Sequence, residues 1–364
     1  MTLMTYVYLI AGLVLLVAGA EVLVRGAAKL AAQFGIPPLV IGLTVVAFGT
    51  SAPETAVSVQ SAFNGSGDLA IGNVIGSNIA NILLILGVTA LVAPLIVSRQ
   101  LIRLDVPIMI GASLVTFGLA WDGELSRLDG ALLFGSVLTY TGFLIYNARK
   151  DKSADDDEFA REFGLDEQPK PYTWAINLGL IIAGLVLLVA GSNFLVEGAV
   201  QLARALGLSE LVIGLTVIAI GTSLPELATS IIAAFKGERD IAVGNIVGSN
   251  IFNLLCVLGL ASLVSPAAIP VAANALAFDF PVMIAVAVAC LPIFFTGYRI
   301  NRWEGLLFLG YYVAYTLYLV LFSTGRPQAE SFGHAMIGYA LPLTAITLVI
   351  IAGRAWHKQR RQEA

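Results

Sequence analysis

The chain has 364 residues, of which 58% are hydrophobic and only 12% charged, with a mean hydropathy of +0.88. A water-soluble domain carries about 25% charged residues, so the composition excludes a soluble globular domain and leaves a polytopic membrane protein, surrounded by lipid and not built for nucleic acid. The formal net charge of −4 decides nothing, because the acids concentrate in one loop.

A membrane-crossing helix needs roughly 20 apolar residues. Taken in chain order, such runs cover residues 5–33, 38–63, 70–96, 102–121, 128–147, 174–205, 210–235, 242–264, 275–296, 303–322 and 334–353, which makes eleven predicted spans. The first run has no basic stretch before it and no cleavage site after it, so it reads as a span and not a removed signal peptide. Between the fifth and sixth runs lies the one long polar segment, Asn147 to Tyr172. It holds the acidic run Asp155 to Glu158 and reads as a solvated linker, since it lacks the alternating ligands and turn glycine of a calcium loop. Cys256 and Cys290 both fall in apolar runs without ligand spacing, as packing residues do.

Lys and Arg set the orientation. With the N-terminus outside, the inner face receives Arg25, Lys29, Arg99, Arg103, Arg149, Lys150, Lys152, Arg161, Lys170, Lys236, Arg239, Arg299, Arg302, Arg354, Lys358, Arg360 and Arg361. The outer face receives Arg127, Arg204 and Arg326. The expected topology is N-out and C-in, with the long loop in the cytoplasm.

The chain repeats itself. Leu13 to Gly19 (LVLLVAG) recurs as Leu185 to Gly191, and Leu39 to Val45 (LVIGLTV) as Leu211 to Val217. Ile71 to Asn81 (IGNVIGSNIAN) recurs as Val243 to Asn253 (VGNIVGSNIFN), all at one offset of 172 residues. Farther on, Asp105-Val-Pro107 matches Asp279-Phe-Pro281, and Arg127 to Gly130 matches Arg302 to Gly305. Each unit therefore has five spans, and an odd number sends the second unit into the membrane from the opposite side. The expected fold is all-α. It comprises two inverted five-helix repeats (1–147 and 173–323), ten core spans in all, joined by the acidic linker 148–172 and followed by an eleventh helix with a basic tail (324–364). Inverted repeats are the architecture of secondary transporters, with the substrate site at the midplane between the halves.

The chemistry centres on Gly49-Thr50-Ser51-Ala52-Pro53-Glu54 and its copy Gly221-Thr222-Ser223-Leu224-Pro225-Glu226. Each puts a carboxylate inside an apolar span, where charge is costly and marks function. Pro53 has no N–H, so it breaks the helix and frees the carbonyl of Gly49. Bare carbonyls at this depth must face protein or a wet cavity. Thr50 lies four residues before Glu54 on the same helix face, and Ser51 lies three before it. Thr222 and Ser223 repeat the set around Glu226. In the neighbouring spans Asn73, Ser77 and Asn81 form a stripe, repeated by Asn245, Ser249 and Asn253. For Asn73, Asn78, Asn245 and Asn250 the sequence leaves interhelical hydrogen bonding beside ligation. Ser77, Asn81, Ser249 and Asn253 are candidates to face the glutamates. Gly72 with Gly76, and Gly244 with Gly248, are small-residue pairs suited to close helix contact. No cysteine or histidine lies near this set, so all-oxygen ligation favours Ca²⁺ or the similarly sized Na⁺ over transition metals.

The paired Gly-Thr-Ser-x-Pro-Glu and Gly-Asn-x-x-Gly-Ser-Asn-Ile-x-Asn motifs resemble the two alpha repeats of the sodium/calcium exchanger family, within the cation/calcium antiporter superfamily. The resemblance extends over roughly residues 5–322. It implies a prokaryotic plasma (inner) membrane antiporter that exports Ca²⁺ on the Na⁺ gradient by alternating access, with Ca²⁺ and Na⁺ as transported partners and no cofactor. It also implies Glu54 and Glu226 as the central carboxylates, and oxygens from Thr50, Ser51, Thr222 and Ser223. A ring is completed by Ser77, Asn81, Ser249 and Asn253, with the carbonyls of Ala47 and Ala219 at its edges. In that family the first and sixth spans are long and slide as a gate, and runs 5–33 and 174–205 are the longest here. Many relatives carry an aspartate at one of the positions held by Asn81 and Asn253. Two amides here argue against a K⁺-dependent subtype and leave the Na⁺ stoichiometry open.

Two other intramembrane acids have local readings. Glu21 stands four residues before Arg25, an ion-pair spacing. Asp105 and Asp279 each precede a proline at a span start, which predicts helix capping. The nearest rival function is a Ca²⁺/H⁺ antiporter on the same fold. That branch is expected to carry a further acid where this chain has Gly76-Ser77 and Gly248-Ser249. An intramembrane hydrolase would need a nucleophile–base pair, and these serines have neither His nor Lys beside them, so the chain is not read as an enzyme. A passive channel leaves the inverted repeat with its broken helices unexplained.

Overall fold

The computed structural model describes residues 3–150, 173–206, 217 and 219–336, with 338, 341–344, 346, 347 and 353 beyond them. Most of the acidic linker, the first part of the expected seventh span and the greater part of the eleventh helix with its basic tail lie outside the described residues.

In chain order the described helices are α1 (Leu3–Phe34), α2 (Pro38–Thr50), α3 (Ala52–Phe63), α4 (Gly67–Val92), α5 (Leu101–Asp122), α6 (Arg127–Lys150), α7 (Thr173–Ala205), α8 (Ala219–Gly221), α9 (Leu224–Phe235) and α10 (Arg239–Val264). They are followed by α11 (Ala275–Phe295), α12 (Arg302–Ser323) and the short α13 (Gln328–Ala335). Among the described residues, eight helices are long and apolar enough to cross a membrane, nine if α2 and α3 count as one bent span.

The repeat is visible in how equivalent helices meet. Glycines stand every seven residues on α1 (Gly12, Gly19, Gly26) and on α7 (Gly184, Gly191, Gly198). Seven residues are close to two turns, so each trio lines one stripe, and the stripes press together. A Cβ on Gly12 would lie 2.5 Å from the backbone nitrogen of Leu195, and one on Gly19 would lie 2.8 Å from that of Leu188. Contacts descend α7 as they ascend α1, so the two helices, equivalent in the repeat, run antiparallel. Two short antiparallel ladders add to this. Leu95–Ile96 (β1) pairs with Arg299–Ile300 (β4), and Glu124–Leu125 (β2) with Ile269–Pro270 (β3).

Burial separates the inner helices from the outer ones. In α4 and α10, 78% and 89% of the apolar window is buried within the protein, against no more than 39% in the other spanning helices. The outer helices instead turn large apolar side chains outward, among them Leu3, Ile10, Leu13 and Val14 on α1 and Leu306, Val313 and Leu317 on α12. That is the surface a bilayer covers. Gly244 and Gly248 on α10 pack against α2, where a Cβ would come within 2.9 and 2.7 Å of the carbonyls of Leu39 and Leu43. For Gly72 and Gly76 on α4 the matching segment, residues 211–215, lies outside the described residues.

One local expectation is corrected. Asp105 and Asp279 do not cap a helix with their side chains. Each stands at the end of a π-helical turn (Leu101–Asp105, Ala275–Asp279) that runs straight into the following helix, so no free helix start exists there. Instead Tyr140 donates to Asp105 at 3.0 Å, with Gln100 donating at 3.3 Å, and Tyr315 donates to Asp279 at 3.2 Å. The Glu21–Arg25 pair forms as the spacing predicts, at 3.1 Å, and Lys236 joins it from the α9–α10 turn.

Candidate functional site

The chain breaks where proline requires it. Between α2 and α3 the path bends by 48° at Ser51, two residues before Pro53. The same break recurs at Thr222 and Ser223, before Pro225. Each break starts a fresh helix with its glutamate in the first turn: Glu54 in α3 and Glu226 in α9. The positive end of a helix dipole favours a carboxylate there. Both glutamates are fully buried, at 0% and 1% exposure. A buried carboxylate is tolerated only with partners.

The partners come from the opposite repeat. Ser51 Oγ donates to Glu226 Oε1 at 3.0 Å, and Ser223 Oγ donates to Glu54 Oε1 at 3.0 Å. Hydroxyl-to-carboxylate bonds of this kind are stronger than neutral ones. Ser223 Oγ also lies 3.3 Å from Ser77 Oγ on α4. Thr50 Oγ1 donates to Asn245 Oδ1 at 3.0 Å and lies 3.4 Å from the carbonyl of Ala47. That carbonyl also accepts the Ser51 N–H at 3.0 Å. Thr222, one residue before Ser223, has a hydroxyl shielded from solvent. Ala219 opens the short turn α8; in this repeat the Ser223 N–H bonds to Ile220 O. The carbonyl of Gly221, four residues before Pro225, is taken up by Ser192 Oγ at 2.6 Å.

Asn73 and Asn245 act as braces. Asn73 Nδ2 donates to the Glu54 carbonyl at 3.3 Å and to Ser58 Oγ at 2.9 Å, and Asn245 Nδ2 donates to the Glu226 carbonyl at 3.4 Å and to Ser230 Oγ at 3.0 Å. They hold the backbone from which each glutamate projects.

A second layer crosses between α4 and α10. Asn81 Nδ2 donates to Asn250 Oδ1 at 3.3 Å, and Asn253 Nδ2 donates to Asn78 Oδ1 at 3.1 Å. Asn250 Nδ2 in turn meets Met109 Sδ at 3.5 Å, and Asn78 Nδ2 meets Met283 Sδ at 3.8 Å. A thioether only accepts. Asn78 Nδ2 also donates to the Asn250 backbone carbonyl at 3.2 Å, and with these acceptors on their NH₂ sides Asn250 and Asn78 turn their oxygens toward Asn81 and Asn253. Those two then spend their NH₂ groups outward and keep their carbonyl oxygens bare. π-helical turns begin at Asn81 and at Asn253, a local geometry common at functional sites.

The oxygens left without a donor define the site. Among the buried oxygens without a partner in the described residues, those of the candidate ligands are Glu54 Oε2, Glu226 Oε2, Asn81 Oδ1, Asn253 Oδ1, Thr222 Oγ1 and Ser249 Oγ, with the Thr116, Thr229 and Ser262 hydroxyls besides them. Buried acceptors with no protein donor call for an electropositive partner. Among the described residues no group of three or more His, Cys, Asp or Glu gathers anywhere. The donor set is thus two carboxylates with hydroxyl and amide oxygens, which suits a hard cation. The structure bonds Ser51 to Glu226, Ser223 to both Glu54 and Ser77, and Thr50 to Asn245. It sets Asn81 and Asn253 beside α10 and α4 with free oxygens. Sequence reasoning missed the serines Ser58 and Ser230 and the methionines Met109 and Met283. The signal was present: each methionine follows its Asp-x-Pro by two residues, in both copies.

Comparison with known proteins agrees with this arrangement. The sequence profile of the sodium/calcium exchanger protein family matches residues 4–146 and 176–321. The sodium/calcium exchanger MaX1 of Methanosarcina acetivorans is 35% identical over 350 residues, covering 88% of this chain and 99% of that protein. The inner membrane protein YrbG of Escherichia coli is 40% identical over 281 residues, covering 77% of this chain and 85% of YrbG. The solved structure of the sodium-calcium exchanger NCX_Mj superposes with a TM-score of 0.73 at 31% identity, covering 86% of this chain and 98% of that one. With the profile spanning both halves and the glutamate pair at their junction, this chain belongs to the sodium/calcium exchanger family.

Proposed function

We propose that the chain exports Ca²⁺ in exchange for Na⁺ by alternating access, with Glu54 and Glu226 as the charged core of one shared cation site. Membership of the family makes it a multi-pass membrane antiporter, not an enzyme, with Na⁺ and Ca²⁺ as transported ions and no cofactor. The observation that carries the proposal is the crossed pair of bonds, Ser51 to Glu226 and Ser223 to Glu54, with the second oxygen of each carboxylate left to a cation. Thr50, Ser51, Ser77, Asn81 and the carbonyl of Ala47 from one repeat, with Thr222, Ser223, Ser249, Asn253 and the carbonyl of Ala219 from the other, supply neutral oxygens around the two charges. Competition follows from the chemistry, since Ca²⁺ and Na⁺ use the same hard oxygens and only one load fits the charge.

Ten core spans in two inverted repeats, N-out and C-in, complete the proposal. Residues 1–147 and 173–323 form the repeats, 148–172 the cytoplasmic linker, and 324–364 the added helix and tail. The likeness to YrbG, an inner membrane protein, supports a plasma (inner) membrane location. The test is uptake of ⁴⁵Ca²⁺ into proteoliposomes loaded with Na⁺. Uptake that requires the outward Na⁺ gradient supports the proposal. Uptake driven by a pH gradient alone identifies the rival Ca²⁺/H⁺ exchange, and uptake needing no counter-ion identifies a channel.

A further inference from the structure

We infer that Glu21, Lys236 and Arg25 form a charge latch that holds the inner side of the transport path closed, and that the matching outer contact is built without one. The inference rests on the alternating-access reading and the N-out topology above.

The first ground is that the two halves do not sit alike. α1 packs along α9. Exchanging the repeats maps that pair onto α7 and α3, which make no comparable contact. Identical side chains record the difference. Leu23 and Val24 on α1 are 0% and 1% exposed, whereas their copies on α7, Leu195 and Val196, are only partly buried. The protein is shut between α1 and α9 and loose between α7 and α3.

The second ground is where charge stands on these contacts. Lys236 follows the last residue of α9, and its ammonium meets Glu21 Oε1. Arg25 reaches the same oxygen at 3.1 Å. The copies of Glu21 and Lys236 are Asn193 on α7 and Asn64, which follows the last residue of α3. Both asparagines are exposed, and among the described residues no hydrogen bond joins them. When the halves exchange roles, α1 leaves α9 and α7 meets α3. The inner side then gives up an ion pair, while the outer side gains only two amides.

A lysine at a helix C-terminus also has a local use, because it meets the negative end of the dipole. That use needs no partner on α1. Glu21 for its part already has Arg25 one turn away on its own helix. The bond from Lys236 to Glu21 therefore serves the contact between the two helices. Partly exposed pairs are weak, so the latch biases the gate by no more than about fivefold, and salt screens it.

The experiment uses the full-length protein in inside-out membrane vesicles, with Ala28→Cys as reporter. Ala28 is 1% exposed. It lies two residues beyond Gly26, which faces α7, and so on the opposite side of α1. A maleimide added from the cytoplasmic side reaches it when the inner side opens. Labelling is counted over that of the protein without the added cysteine, in choline chloride free of Na⁺ and Ca²⁺. At about 0.1 M salt, Glu21→Asn and Lys236→Asn should each speed labelling by roughly 1.4- to fivefold. The double variant should label no faster than Glu21→Asn alone, and Lys236→Arg no faster than the unaltered pair. At about 1 M salt, where the Debye length is about 3 Å, the differences should vanish. Unchanged labelling in the single variants, or effects that multiply in the double variant, would overturn the latch. ⁴⁵Ca²⁺ uptake on a Na⁺ gradient is read separately in the protein without substitutions. Its absence would refute the exchange reading and with it the transport role of the latch, whereas a failed labelling pattern with uptake intact would refute the latch alone.

Discussion

Replacing Glu54 by Gln is the most informative single change. Gln has nearly the same shape, so α3 keeps its start, Asn73 keeps its bond to the residue 54 carbonyl, and Ser223 still finds an oxygen to donate to. What changes is charge: the two carboxylates become one. Removing one partner from a buried set of balanced charges costs about 3–5 kcal/mol. At about 1.36 kcal/mol per decade, Ca²⁺ affinity should fall by roughly 10²- to 10⁴-fold. Isothermal titration with Ca²⁺ and ⁴⁵Ca²⁺ uptake under a Na⁺ gradient both read this, with a melting curve to confirm the fold. Glu226→Gln should lose the same amount within a few fold, because each carboxylate sits on the first turn of its helix and takes one 3.0 Å bond from the other repeat. A Glu54→Gln protein that binds Ca²⁺ within about tenfold of the unaltered one, the span of about 1.4 kcal/mol, would refute this account of the site.

The remaining expectations concern the frame around it. Asn78→Leu removes the acceptor that orients Asn253 and should lower Na⁺-driven uptake more than it lowers the melting temperature; equal uptake would show that the amide wiring is unimportant. Gly19→Val places methyls where even a Cβ would lie 2.8 Å from the Leu188 backbone. It should destabilise by at least about 1–3 kcal/mol, whereas Gly142→Ala, whose Cβ would meet nothing within 4 Å, should leave melting unchanged. Tyr140→Phe takes a donor from the buried Asp105 and should cost about 1–3 kcal/mol of stability in the same assay. Lys236→Gln breaks a partly exposed pair with Glu21 and should change stability by less than about 1 kcal/mol.

Much of this was legible in the residues because the chain states it twice. The glutamate after a proline, the asparagine stripe and the shared offset located the breaks, the inner helices and the acceptors. Which amide does what was not legible. Asn78 and Asn81 both lie on α4, and they are told apart only by long-range partners: the Asn250 carbonyl and Met283 take the Asn78 NH₂, while Asn250, turned by Met109, takes that of Asn81 and leaves its oxygen bare. Asp105 shows a different limit. A proline two residues later suggests a helix start, but the backbone arrives already coiled, and the carboxylate is claimed by a tyrosine 35 residues away. Long-range partners of this kind leave no trace in local spacing.

The contacts between the halves follow a rule usually met between separate molecules. Gly12 meets Gly191, and the equivalents exchanged, Gly19 and Gly184, meet as well. Gly87 meets Gly305 as Gly259 meets Gly130. β1 pairs with β4 as β2 pairs with β3, and Asn81 bonds Asn250 as Asn253 bonds Asn78. In each case i touches j and j touches i, the signature of an isologous two-fold interface. The contacts between equivalent segments of this one chain thus follow the pattern of a two-fold dimer. Such an interface doubles the effect of any change written into both copies, and lets one copy alone break the symmetry. Ser192, where the first copy has Ala20, is one such place: among the described residues a serine ties back the freed carbonyl of Gly221, and none ties back that of Gly49. The two proline breaks are thus chemically distinguishable, although the glycine contacts beside them are matched.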